Sequence, residues 1–111
     1  MNRTEKAELI ETLQATLSSS TSVVVAHQSG LTVAESSELR AKMREAGAGF
    51  KVTKNRLTKL ALQGTKYENL SDLFAGPTAI GTSSDPVSAA KTLVSFAKTN
   101  DKLTIIGGSL D

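Results

Sequence analysis

The stretch SVVVAH, residues 22–27, constrains the fold more than any other. Three β-branched residues and an alanine in succession show no polar alternation, the pattern of a buried strand such as those of parallel sheets. Around it the periodicity becomes helical. Upstream, Leu9, Ile10, Leu13 and Leu17 predict an amphipathic helix from about Thr4, offered as its N-cap, to Ser18. Downstream, Gly30 breaks the chain, and Thr32-Val33-Ala34-Glu35 is a capping box in which hydroxyl and carboxylate each satisfy a free amide. The helix it opens runs to about Ala46, with Leu39, Met43 and Ala46 inward and Gly47 suited to the left-handed position past its end.

Phe50 and Val52 alternate with Lys51 and Thr53, which predicts a short strand and completes a βαβ unit with parallel strands. A third helix is expected over about 55–63, burying Leu57, Leu60 and Ala61 and stopped by Gly64, with further helical turns at Leu70, Leu73 and Phe74. Gly76-Pro77 opens a strand at about 78–82, and Asp85-Pro86 supplies a cap and a proline for the first helical position. Ala90, Leu93, Val94 and Ala97 mark the inward face of that helix, and KLTIIGG closes a second βαβ unit as a strand. The expectation is an α/β fold bordering on α+β: one small domain whose mixed sheet of about four strands is covered by helices. A chain of 111 residues supports one core and not two.

Several chemistries drop out. There is no cysteine, hence no disulfide, thiolate zinc site or cysteine nucleophile. Met1 to Glu11 carries acids where a secretory signal needs an apolar run, so it reads as mature sequence, and the glycosylation patterns at Asn2 and Asn69 then carry no weight. No segment approaches the roughly 20 apolar residues of a membrane-spanning helix. Gly76 and Gly81 have P-loop spacing, but Thr82 stands where the phosphate-binding lysine belongs. His27 is the only histidine and has no acid partner in view, and no cluster of ligand types is spaced for a metal. No enzyme activity, cofactor or metal is expected.

The charge pattern points elsewhere. Residues 40–66 hold eight cations against the single acid Glu45, while the rest of the chain holds five cations and ten acids. Charge used only for solubility would be interspersed. At about 100° per residue, Arg56, Lys59 and Gln63 share one side of the third helix, opposite Leu57, Leu60 and Ala61, and Arg40 and Arg44 stack on the second. Lys51 and Thr53 project from the strand between, and Lys54 and Asn55 sit at a helix N-terminus, where amides and dipole favour anions. Such a set suits a phosphate backbone. With no tryptophan, one tyrosine and three phenylalanines, the aromatic platforms of single-strand binders are missing, so a folded RNA read by shape and backbone is expected. Charge alone does not separate RNA from DNA.

The segment VVVAHQSGLTVAESSELRAKMREAGAGFKVTKNRLTKLAL, followed by FAGPTAIG, resembles the N-terminal domain of the bacterial ribosomal protein L-ten family. The ELR..MREAG helix, the VTKNRL junction and the GPTAI turn carry the likeness in their order and spacing, and it extends over essentially the whole chain. The resemblance implies a stalk-base protein that binds large-subunit rRNA at the GTPase-associated centre beside a neighbouring ribosomal protein. It assigns RNA contact to Arg40, Arg44, Lys54, Asn55 and Arg56, to which the charge pattern adds Lys51 and Lys59. It further implies that dimers of acidic stalk proteins bind only through a long C-terminal helix, of which nothing is seen up to Asp111.

The reading is therefore a non-enzymatic, rRNA-binding protein of a cytoplasmic ribosome, with an organellar ribosome left open and no membrane partner. Two rivals stand beside it. An assembly factor of the same fold would bind the same rRNA transiently, and a phosphate-ligand enzyme would use the βαβ loops.

Overall fold

Each apolar period of the sequence becomes an element in the computed structural model, which describes residues 2–52 and 54–110. The helices are α1 (Arg3–Ser19), α2 (Val33–Glu45), α3 (Asn55–Leu62) and α4 (Ser88–Thr99), with a short 3-10 helix at Glu68–Leu73. The strands are β1 (Ser22–Gln28), β2 (Gly49–Lys51), β3 (Thr78–Ser83) and β4 (Leu103–Leu110). The capping box at Thr32 and Glu35 forms as expected, with bonds of 3.1 and 3.0 Å, and Gly47 ends the helix at a φ of 75°. At α1 the cap is Asn2 and not Thr4: its side chain accepts from the Glu5 amide at 2.8 Å and donates to the Glu5 carboxylate, a pairing that an asparagine can make in full. Asp85 does accept from the Val87 and Ser88 amides, but α4 starts only at Ser88, so Pro86 lies ahead of the helix.

The four strands form one sheet in the order β2-β3-β1-β4, and every neighbouring pair is antiparallel. The α/β class holds, but the expected hydrogen-bonded parallel pairs do not form. Within each βαβ unit the two strands do run parallel, yet β3 lies between β1 and β2, and β1 lies between β3 and β4. Two split βαβ units thus interlock as in ferredoxin-like folds, with α3 and the 3-10 helix inserted between the halves. The unbroken apolar run of β1 has a different cause from parallel pairing. Val23 and Val25 face a cluster with Leu13, Leu17, Leu62, Tyr67 and Phe74, whereas Val24 and Ala26 face one with Leu39, Met43, Leu93 and Phe96. Helices cover both faces of this antiparallel sheet, so neither side of β1 is polar.

Three side chains expected inside lie outside. Val52 is 42% exposed because β2 ends at Lys51; Leu60 is 39% exposed, and Val94 is 41% exposed. On α3 the buried residues are Leu57, Thr58, Ala61 and Leu62, a stripe turned away from Leu60. On α4 they are Ala89, Leu93 and Phe96, with Ala90 and Ala97 half-buried at the margin. Both faces of α4 fit a helical period, and the larger area of an aromatic ring decides between them. Thr53, expected on the second strand, lies outside the described residues.

Glu35 does more than cap its helix. Its carboxylate accepts from the Thr32 amide, from the Lys102 ammonium at 2.9 Å and from the Asn100 side chain, tying the start of α2 to the start of β4. The Thr32 amide and then Lys102 lower its pKa from 4.5 to about 2. A depressed carboxylate pKa stabilises the fold above the ordinary value, and that contribution is lost as pH falls through the native one. Urea denaturation between pH 5 and 2 should therefore show a loss of stability that is smaller in Glu35→Gln; an unchanged loss would assign it to other carboxylates.

Candidate nucleic-acid interface

The cations singled out by sequence lie on two sides of one sheet edge. β2 is an edge strand, and α2, which packs against it, presents Arg40 and Arg44 to solvent. Arg40 is held over the Phe50 ring, its guanidinium carbon 5.7 Å from the ring centre, which fixes the side chain at the β2 end of the helical layer. Lys51 follows Phe50 and points by strand alternation to the opposite face, where α3 lies. The expected convergence of three elements on one patch is thus replaced by a basic surface that wraps the edge, with α2 on one face and α3 on the other.

On the α3 side the structure adds residues that the segmental charge count had placed elsewhere. Lys54 and Arg56 line a groove of about 430 Å³ together with Arg3 and Lys6 of α1. The apolar part of its lining comes from Ala7 and Ile10 of α1 with Leu57 and Leu60 of α3. In α1, Arg3, Lys6, Ala7 and Ile10 recur at i, i+3, i+4 and i+7, one continuous stripe. That spacing was legible, but its juxtaposition with α3, some 50 residues on, is made by tertiary packing alone. Lys59 is exposed on α3 outside the groove.

Asn55 has a structural task. Its side-chain amide donates to the Gly76 carbonyl at 2.8 Å, anchoring the start of α3 to the Gly76-Pro77 turn, where Gly76 sits at a φ of 74°. One amide hydrogen and the side-chain oxygen remain to meet a ligand.

Two cations outside the groove are held by acids. Lys42 bonds Glu38 at 3.2 Å and Lys102 bonds Glu35. By contrast, none of Arg3, Lys6, Lys54 and Arg56 meets a carboxylate of the described residues. Among the described residues no side chain caps the N-terminus of α3, whose first turn has no acid. The positive end of a helix dipole therefore faces its own cations, an arrangement that repels until an anion is bound. Elsewhere the chemistry stays sparse. The His27 Nε2 atom is buried without a hydrogen-bond partner, and the described residues hold no cluster of acids and histidines fit for a metal. No helix among them is long and apolar enough to cross a membrane.

The family model described as ribosomal protein L10 matches residues 1–98. The large ribosomal subunit protein uL10 of Paramagnetospirillum magneticum is 64% identical over 110 residues, that of Sphingopyxis alaskensis 59% and that of Rhizorhabdus wittichii 54%. Each alignment covers 99% of this chain and 64% of the relative, so the chain spans a little under two thirds of the length of these proteins. Matched in sequence along nearly its entire length, the chain belongs to the ribosomal protein L10 family.

Proposed function

We propose that this chain is a structural, non-enzymatic component of the large subunit of a cytoplasmic ribosome. It binds large-subunit rRNA at the GTPase-associated centre and forms the base of the stalk that recruits translational GTPases. The observation that carries this reading is the set of cations, without a carboxylate partner among the described residues, gathered at the N-terminus of α3 and continued around the β2 edge. Arg40 and Arg44 grip the backbone from one face of the sheet, and Lys51, Lys54, Asn55, Arg56 and Lys59 from the other. Arginine supplies bidentate phosphate contacts and lysine mobile point charges, a division suited to shape and backbone recognition. The neighbouring ribosomal protein of the centre binds beside this surface.

Recruitment of the acidic stalk dimers belongs to a C-terminal helix outside these 111 residues. A helix that docks such partners needs apolar anchors at i, i+3, i+4 and i+7. In α1 and α4 the anchors are already in the core: Leu13 and Leu17 in the first, Ala89, Leu93 and Phe96 in the second. Exposing a large apolar side chain costs about 1.5–3 kcal/mol, so neither helix can turn outward. In analytical ultracentrifugation the 111 residues should co-sediment with a large-subunit rRNA fragment at micromolar concentration and not with the acidic stalk proteins. Absence of the RNA complex would refute the binding role, and a stalk-protein complex would refute the division of labour.

A further inference from the structure

The groove between α1 and α3 is built for more than a phosphate. Cations alone would suit a paired RNA backbone, which presents only phosphates and riboses, but here they share one groove with apolar side chains. Leu60 is 39% exposed in that lining, and Ile10 is half-buried. Laying phosphates across leucine and isoleucine would strip their water without replacing it. An unpaired nucleotide solves both halves at once, with an apolar base face for the aliphatic side chains and flanking phosphates for the cations. Apolar side chains do take up unstacked bases in this manner. The volume, about 430 Å³, falls within the 300–1,000 Å³ typical of small-ligand sites.

We propose that this groove captures one extrahelical nucleotide of the bound RNA, its base over Ile10 and Leu60 and its phosphates on Arg3, Lys6, Lys54 and Arg56. The inference rests on the RNA-binding reading and adds to it both the α1 contacts and a preference for an unpaired base. An acidic peptide with one apolar residue would match the groove itself. The cations, however, are not confined to it: Lys59 is exposed on the same helix and Lys51 stands on the edge strand, more positive charge than a single acidic side chain can neutralise. A polyanion can neutralise it, and the structure favours RNA on that ground.

The test compares two RNA hairpins of one sequence, one fully paired and one with a single unpaired fluorescent adenine analogue, and uses a large-subunit rRNA fragment as reference. The chain should bind the bulged hairpin about fivefold more tightly, the lower end of what a stacked base contributes. The analogue's emission should change on binding. Leu60→Ser, at an exposed position, should erase the preference for the bulged hairpin, while Arg3→Ala with Lys6→Ala should weaken both hairpins and flatten their salt dependence. Equal affinity for the two hairpins, a preference that survives Leu60→Ser, or binding of the rRNA fragment but of neither hairpin overturns the proposal and leaves RNA binding in place. Failure to bind all three RNAs overturns the RNA reading itself. Tighter binding of an acidic leucine-containing peptide, lost in Leu60→Ser, reassigns the groove to a protein partner and overturns the proposal as well.

Discussion

Phe96→Ala should cost about 3–5 kcal/mol of unfolding free energy, the range for removing a buried aromatic side chain, whereas Val94→Ala should cost under about 1 kcal/mol. Phe96 is 4% exposed and packs with Leu93, Met43 and Leu39 beneath α2 and α4, and the Lys42 ammonium lies 5.7 Å from its ring centre. Truncation there leaves a cavity on one face of β1 that the surrounding helices can fill only in part. Val94 is 41% exposed and loses little on truncation. Urea denaturation of the two variants decides the matter. Similar costs, or a larger one for Val94, would mean that α4 is rotated from the position described and that its stripe is Ala90, Leu93, Val94 and Ala97.

The rotation of α4 shows how far a single helical period can be read. Residues 88–99 contain two overlapping apolar stripes, and periodicity rates them alike, because it counts residues and not the area each one buries. The same ambiguity shifted α3, where Leu62 went inward and Leu60 stayed partly exposed in the lining of the groove. The Thr32 box and the Gly47 terminator were read correctly, since their chemistry needs only neighbouring residues, whereas the starts of α1 and α4 were misplaced by a few residues. Sheet topology was read least well. An apolar run such as Val23 to Ala26 reports that a strand is covered on both faces and says nothing of which strand lies beside it. The intervening strand in each split unit comes from the other unit, a long-range choice that no local period records.

The candidate site divides in the same way. Lys54 and Arg56 were legible because a run of one sign at a helix start is visible in sequence. Arg3 and Lys6 were not, since they stand among Glu5, Glu8 and Glu11, and a segmental count cancels them. Only the packing of α1 on α3 turns their stripe toward the other two cations. The split of the surface around β2 was equally hidden, because it follows from α2 and α3 lying on opposite sheet faces.

The central claim is that the cations of α3 and the β2 edge bind RNA through its phosphates. Its most direct test is the salt dependence of binding to a large-subunit rRNA fragment, measured for the chain and for Lys54→Ala/Arg56→Ala/Lys59→Ala. Each phosphate contact contributes roughly 0.7–0.9 to the log-log slope, so three lost contacts should flatten it by roughly 2 to 3 and weaken binding about 100-fold near 0.15 M salt. All three side chains are exposed and none is paired with a carboxylate of the described residues, so the melting temperature should move by less than about 2 °C. Lys91→Ala with Lys98→Ala, on α4, is the control and should leave the slope unchanged. A triple variant with the slope and affinity of the parent chain, or a control pair that flattens the slope as much, would contradict the account.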